Sequence, residues 1–171
     1  TLFTVFHSAY DKNARRLFYT SDNNHWRDLN VLDLKSGLSR RLVDDIRAGD
    51  LAFNSEDESL WGMRHSDGYS SLIRLEPPYE DYKSIHVFDF GNDLYDLDIS
   101  PDGSYLSGAY VDAWGQQFLI RYEIDSLMAG QVQPDTLWSS DISSPANFVF
   151  SPDGRYLYGS TFYTGVSNIF R

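Results

Sequence analysis

A tetrapeptide used twice, a leucine that recurs at a steady interval and a composition rich in flat rings together predict an all-β chain. Ser-Pro-Asp-Gly stands at Ser100-Pro101-Asp102-Gly103 and again at Ser151-Pro152-Asp153-Gly154, each time followed by two residues, a Leu and then x-Gly. Aligned on that leucine, the chain repeats at Leu17, Leu60, Leu106 and Leu157, roughly 40 to 50 residues apart. Phe, Trp and Tyr make up 16% of residues, and aromatic rings suit a pleated, half-buried surface. A period of that length with several short strands in each unit is the signature of β-propeller blades. The expected architecture is about four four-stranded antiparallel blades, at approximately 1–44, 45–90, 91–140 and 141–171, forming a single partial propeller domain.

Turn residues divide each unit into runs. The innermost runs are Leu2–Phe6, Leu51–Phe53, Leu94–Ile99 and Asn147–Phe150. The second runs are Leu17–Thr20, Leu60–Met63, Leu106–Tyr110 and Leu157–Ser160, and the third are Leu29–Leu34, Ser71–Leu75, Gln117–Ile124 and Asn168–Arg171. The fourth are Arg41–Val43, Ile85–Phe90 and Thr136–Trp138, so the fourth unit lacks its outer strand. Helix has support only at Ile124–Met128, for a single turn.

The first and second runs should be joined by a hairpin. Proline presets φ near −65°, aspartate tolerates the next position and glycine takes the positive φ that follows, which gives Pro101, Asp102, Gly103, Pro152, Asp153 and Gly154 a structural role. Tyr10-Asp11-Lys12-Asn13 and Asn54-Ser55-Glu56-Asp57 are degenerate versions. Gly62, Gly108 and Gly159 follow the aligned leucine within the second strand, where glycine marks a close approach, expected here between blades. Tyr19 departs from that rule in the first unit.

The repeated Ser-Pro-Asp-Gly-x-x-Leu, with the run Asn30 to Leu42, resembles the WD40-like (PD40) repeat of the TolB family of β-propellers. Related blades occur in the propellers of prolyl-oligopeptidase-type and tricorn-type peptidases. Family propellers have six to eight blades and close by pairing strands from both termini. The resemblance therefore implies that this chain, which also begins without Met, is a fragment of a larger propeller. It implies a scaffold for protein or peptide binding in a bacterial envelope, periplasmic or extracellular, with open edges that favour self-association or association with the rest of a larger propeller.

Composition narrows the functions. A formal net charge of −11 repels phosphate backbones and excludes nucleic acid as a favoured partner. There is no cysteine, hence no disulfide, thiolate metal site or thiol nucleophile. No run reaches the ~18 apolar residues of a membrane helix, so no membrane insertion is expected. No G-x-S-x-G elbow, phosphate loop or dinucleotide fingerprint is present, so no enzymatic role and no cofactor are expected of this chain.

In such a blade the second-to-third and fourth-to-first connections share one face, opposite the Pro-Asp-Gly turns. That face collects His25, Trp26, His65, Tyr69, Trp114 and Tyr163, together with Asp44, Asp45, Asp50, Asn92, Asp93 and Asp141, as a candidate binding surface with aromatic anchors. The plainer alternative is solvated hairpin tips with an aromatic packed along each neighbouring blade. His7, His25, His65 and His86 lack the short spacings that place two imidazoles on one ion, so no metal site is expected. Asp96 and Asp98 fall on one side of a strand, and alternation of polar and apolar faces accounts for them better than calcium binding or acid–base work. Two further functions stay open: a substrate-gating propeller portion of a prolyl-oligopeptidase-type serine peptidase, and a carbohydrate-binding propeller suggested by Trp26, Trp114 and the tyrosines.

Overall fold

Within each blade, strand follows strand along the chain, each pairing antiparallel with the one before it, and a new sheet starts at each blade boundary. The computed structural model of the protein describes residues 4–23, 25–162 and 165–171. The first blade comprises β1 (Val5–Asp11), β2 (Arg16–Asp22), β3 (Arg27–Asp33) and β4 (Ser39–Val43). The second comprises β5 (Ala48–Phe53), β6 (Leu60–Ser66), β7 (Tyr69–Leu75) and β8 (Lys83–Val87). The third has β9 (Asp93–Ile99), β10 (Tyr105–Val111), β11 (Gln117–Glu123) and β12 (Asp135–Ser140), with the one-turn helix α1 (Ile124–Met128) before β12. The fourth has three strands, β13 (Pro145–Phe150), β14 (Leu157–Thr161) and β15 (Asn168–Phe170). The all-β propeller architecture and the short last blade agree with the sequence.

Among the described residues the inner strand of the first blade runs over Val5–Asp11, beyond the Phe6 end expected from the sequence, while Leu2 and Phe3 of the expected run lie outside the described residues. Asp11 explains the difference: its Oδ1 accepts the backbone N–H groups of Asn13 (3.0 Å) and Ala14 (3.1 Å), so it heads the turn. Tyr10 therefore stays in the strand. Asp11, Asn54, Ser100 and Ser151 hold equivalent places and all are buried. The two Ser-Pro-Asp-Gly turns are nearly superimposable in chemistry. Each serine hydroxyl donates to the aspartate at 2.6 Å and accepts a backbone amide, from Tyr105 at 2.9 Å and from Tyr156 at 3.1 Å. Gly103 and Gly154 carry φ of 71° and 70°. The degenerate turns place their left-handed residue later, at Arg15 and Glu58.

The glycines of the second strands serve a purpose different from blade-to-blade approach. A Cβ on Gly62 would meet Leu51 Cδ2 at 3.0 Å and the Gly49 carbonyl at 3.2 Å, both in the inner strand of its own blade. Gly108 faces Leu94, Leu97 and Tyr95 in the same way, and Gly159 faces Phe148. The cause is a bulge in every inner strand, with register shifts at Val5/Ser8, Gly49/Ala52, Tyr95/Asp98 and Ala146/Val149; the first lies one residue further from its turn than the other three. In three of the four, the bulge holds a left-handed residue: Asp50 (φ 48°), Asp96 (φ 54°) and Asn147 (φ 51°). The next residue, Leu51, Leu97 or Phe148, folds over the glycine. In the first blade the bulge holds Phe6 and His7 opposite Thr20, so Tyr19 pairs directly with Ser8 and faces no bulge that would require a glycine.

Two apolar clusters join the first three blades. Phe18 and Leu29 of the first meet Leu60, Ile73 and Leu75 of the second; Trp61, Met63 and Leu72 of the second meet Leu106, Ile120 and Tyr122 of the third. β6 is thus buried on both faces, which is why Leu60-Trp61-Gly62-Met63 reads as a continuous apolar run rather than an alternation. Tyr79, 2% exposed, locks the first interface: its hydroxyl accepts from Arg16 at 2.9 Å and donates to the Glu58 carbonyl at 2.8 Å. Between the third and fourth blades lies a mainly apolar cavity of about 400 Å³, with Leu119, Trp138, Phe148, Phe150 and Phe170 in its walls. The far face of the fourth blade carries Tyr158 and Ile169, equivalent to the buried Trp61 and Leu72, at 40% and 84% exposure.

Gly62→Ala is expected to cost about 1–3 kcal/mol by overpacking. Adding Leu51→Ala should give a combined loss smaller than the sum by about 0.5 kcal/mol or more, because the second change removes the clashing methyl. Urea unfolding midpoints of the two single variants and the pair check this; strict additivity would contradict it. Gly103→Ala should destabilise more than Gly154→Ala. Both lose a left-handed glycine, but only at Gly103 would the new Cβ press on Asn54 Oδ1, at 2.6 Å, whereas at Gly154 the nearest atom is Pro101 Cδ at 3.7 Å. Thermal midpoints of the two variants decide the order.

Candidate binding face

The loop face is assembled by backbone bonds between neighbouring blades. At its first junction the Arg47 amide donates to the Arg27 carbonyl (3.1 Å) and the His65 amide to the Arg47 carbonyl (3.1 Å), tying the starts of β3 and β5 to β6. Asn23 closes its own loop by accepting the amides of His25 (2.7 Å) and Trp26 (2.6 Å) at Oδ1. Its Nδ2 donates to Asp28 (2.7 Å) and Asp45 (2.9 Å). Three of the sequence-predicted residues, His25, Trp26 and His65, therefore line one cleft of about 470 Å³ between the first two blades, with Asp22, Arg27 and Arg47.

The other predicted residues lie apart from that cleft. Tyr69 packs edge-on against Phe90 at 5.9 Å, and both rings are exposed. Trp114, 91% exposed, stands over a shallow hollow with Gln116 and Asp141. Tyr163 lies outside the described residues. Pro101, Asp102, Gly103, Pro152, Asp153 and Gly154 occupy the opposite face, where Asn54 Nδ2 donates to the Gly103 carbonyl at 3.1 Å and links successive turns.

Several polar and acidic residues collected on the loop face by the sequence hold its connections. Asn92 accepts the Ala113 amide (2.8 Å), and Asp141 accepts from Gln116 Nε2 (2.9 Å). Asp28, Asp44 and Asp45 bring carboxylate oxygens within 4.8 Å of one another, and Arg41 pairs with Asp28 (3.3 Å) and Asp44 (2.8 Å). Burial works to raise the Asp28 carboxyl, but hydrogen bonds from the Asp45 amide, Asp44, Arg41 and Asn23 outweigh it and hold it below the usual range. Asp44 is shifted upward by its hydrogen bond with Asp28.

Asp50 belongs to the propeller axis rather than the loop rim. With His7, Asp96, Asn147 and Phe148 it lines a small cavity to which all four inner strands contribute. Asp50 Oδ1 accepts the amide of Asp96 (3.0 Å), and Asp96 Oδ2 accepts the amide of Asn147 (2.9 Å). Asp98 Oδ2 accepts the Phe150 amide (2.6 Å), so Asp96 and Asp98 do share a side, and it is the side that grips the next blade. Burial pushes the Asp50 and Asp98 carboxyls upward.

Sequence reasoning did not bring Arg27 and Arg47 into the cleft. Arg47 Cζ lies 3.6 Å from the centre of the Trp26 ring, and Arg27 Cζ lies 4.2 Å from the centre of the Phe6 ring. His65 Nε2 lies 3.1 Å from Asp93 Oδ1 of the third blade. That hydrogen bond raises the imidazole above its ordinary value; burial pushes Asp93 up, but bonds from His65 and Ser70 prevail and lower it.

The fold is that of a β-propeller, and it is similar to the propellers of TolB structures. TolB from Acinetobacter baumannii is 17% identical with a TM-score of 0.71 over 98% of this chain and 43% of its own. The putative TolB from Agrobacterium tumefaciens is 15% identical with a TM-score of 0.70 over 100% of this chain and 60% of its own. A prolyl endopeptidase is 15% identical with a TM-score of 0.61 over 98% of this chain and 26% of its own. The chain thus spans about half the length of the TolB chains it matches. No family model and no curated protein matches the sequence. Among the described residues no helix is long and apolar enough to cross a membrane.

The His65–Asp93 pair sets a pH window. A raised histidine contributes stability that is full below about pH 6.5 and lost as pH rises through its folded value; a lowered aspartate contributes above about pH 3.8 and loses that as pH falls through its folded value. His65→Gln should therefore destabilise relative to the parent most at about pH 5.5, and the gap should narrow by about pH 8. Urea midpoints of both proteins at the two pH values test this, and a gap that widens with pH would contradict the pair.

Proposed function

We propose that this chain is a portion of a larger β-propeller and acts as a non-catalytic scaffold that binds a protein or peptide through its loop face, in the manner of TolB-like proteins. The observation that carries the reading is the cleft between the first two blades, where a half-exposed Trp26 stands with His25 and His65 on the face opposite the structural turns. Exposed aromatics beside polar side chains, on a rigid blade framework, are the usual composition of binding anchors. Tyr69 and Trp114 extend the same face over the second and third blades. The resemblance to TolB supports a setting in a bacterial envelope, periplasmic or extracellular. The exposed Tyr158 and Ile169 supply a surface for association with the rest of a larger propeller, a role supported by the burial of their equivalents Trp61 and Leu72 inside the stack.

The structural similarity to a prolyl endopeptidase favours a second reading, in which these blades are the substrate-gating part of a peptidase. The two separate on whether the loop face captures an intact folded protein or only short peptides.

The double variant His25→Ala, Trp26→Ala should leave the unfolding midpoint within about 0.5 kcal/mol of the parent, since both side chains are exposed, while reducing capture of envelope proteins in a cross-linking pull-down. Arg155→Ala, on the turn face, serves as the control. Capture that is unchanged in the double variant, or equally reduced in the control, would remove the loop face from consideration.

A further inference from the structure

Against a chain of net charge −11, the cleft between the first two blades is locally cationic. Arg27, Arg47, His25 and His65 surround it, and not all of that charge is neutralised at home. Arg27 pairs with Asp22 at 3.1 Å and His65 with Asp93 at 3.1 Å. Arg47 differs, because among the described residues no carboxylate lies within ion-pairing distance of it. Its guanidinium lies against the Trp26 indole, 3.6 Å from ring centre to Cζ. Stacking occupies the flat face of a guanidinium and leaves its edge, with the N–H groups, available for a bidentate partner.

The backbone holds Arg47 in place. Its φ is 57°, a left-handed conformation that costs a non-glycine residue of order 1 kcal/mol, and bonds to the Arg27 carbonyl and from the His65 amide brace it on both sides. A fork-shaped cation, uncompensated, seated on an aromatic platform and fixed at the junction of two blades, is matched by a planar anion. The overall negative field disfavours a polyanion, which would bring many charges near the surface, but tolerates a single carboxylate shielded beyond a Debye length of about 8 Å.

We propose that the Arg47–Trp26 cleft is a carboxylate-binding pocket that takes the C-terminal carboxylate or an acidic side chain of a peptide partner. The proposal rests on the loop-face reading and sharpens it by naming the group recognised. Arg47 supplies the bidentate contact, Trp26 holds the guanidinium flat, and His25 stands at the rim beside them.

The test is a titration of the ¹⁵N-labelled protein, followed at the Trp26 indole N–H, with acetyl-glycyl-glycine bearing a free carboxylate, its C-terminal amide, galacturonate and inorganic phosphate. The free acid should shift the Trp26 signal saturably and the amide should not. Arg47→Gln should weaken the acid by about tenfold or more, the effect of losing one charge-assisted contact. Arg47→Asn, which tolerates the left-handed backbone, should do the same with an unchanged unfolding midpoint, so that a fold defect in one variant does not hide the result. Equal shifts from acid and amide, or acid binding that survives both substitutions, would overturn the pocket. Arg47-dependent binding of galacturonate or phosphate without the peptide acid would overturn the peptide assignment. If the acid titration fails while His25→Ala, Trp26→Ala still abolishes protein capture, this inference falls and the loop-face reading stands. If the titration succeeds and capture is indifferent to those residues, the reverse holds.

Discussion

One constraint organises the molecule: each inner strand is interrupted by a bulge whose freed amide has to find an acceptor. A bulge leaves one residue outside the ladder, and a buried, unpaired N–H costs about as much as a lost hydrogen bond. In the third and fourth blades the preceding blade meets the need. Asp50 accepts from the Asp96 amide and Asp96 from the Asn147 amide, while His7 approaches Asp50 at 3.7 Å. Aspartate and asparagine are also the non-glycine residues that best tolerate φ near +50°, so one side chain permits the bulge in its own strand and satisfies the bulge of the next. The register of blade on blade follows from this chain of carboxylate-to-amide bonds. So does the glycine in the second strand of each of the last three blades, which makes room for the apolar residue that follows the bulge.

This ladder explains which features were legible in the sequence. The turns could be read because their chemistry is local: serine, proline, aspartate and glycine satisfy one another within a few residues. The aligned leucines gave the blade register, since a two-sided buried strand must carry its apolar residues at fixed places. The bulges were not legible, because Asp50 and Asp96 look like ordinary polar positions of an alternating strand until the amide from another blade is seen. For the same reason the glycines pointed to a close approach without revealing the partner. In the cleft, His25 and Trp26 were visible as an aromatic-polar loop tip. Arg47 was not, because nothing in Asp45-Ile46-Arg47-Ala48 signals that its backbone turns left-handed to lay a guanidinium on an indole in another blade.

The three blade junctions differ in how completely they are filled. The first two hold continuous apolar clusters, the first closed by Tyr79 and the second by Ile124 and Leu127 of α1. The third retains a cavity of about 400 Å³, although its inner strands keep the bulge ladder and the additional Asp98–Phe150 bond. Registration and packing are therefore separable here: polar bonds at the axis align the fourth blade, while apolar burial further out contributes less. Local opening should consequently be easiest at this junction, since burial of apolar surface is the dominant stabilising term and is weakest there.

The distribution of charge follows from the same division between axis, connections and cleft. Most loop-face carboxylates are engaged: Asp28 fixes the Asp45 amide, Asp22 holds Arg27, Asp93 holds His65 and Asp141 holds Gln116. A carboxylate that accepts protein donors projects less field into solvent than its formal charge suggests, so the net −11 is an unreliable guide to what any one surface will attract. At the first junction the balance is reversed, because Arg47 is braced by backbone bonds instead of by an acid and is cushioned by a ring that has no counter-charge. A local positive site on an acidic protein thus needs no exception to electrostatics. It arises where the backbone, not an ion pair, positions the cation.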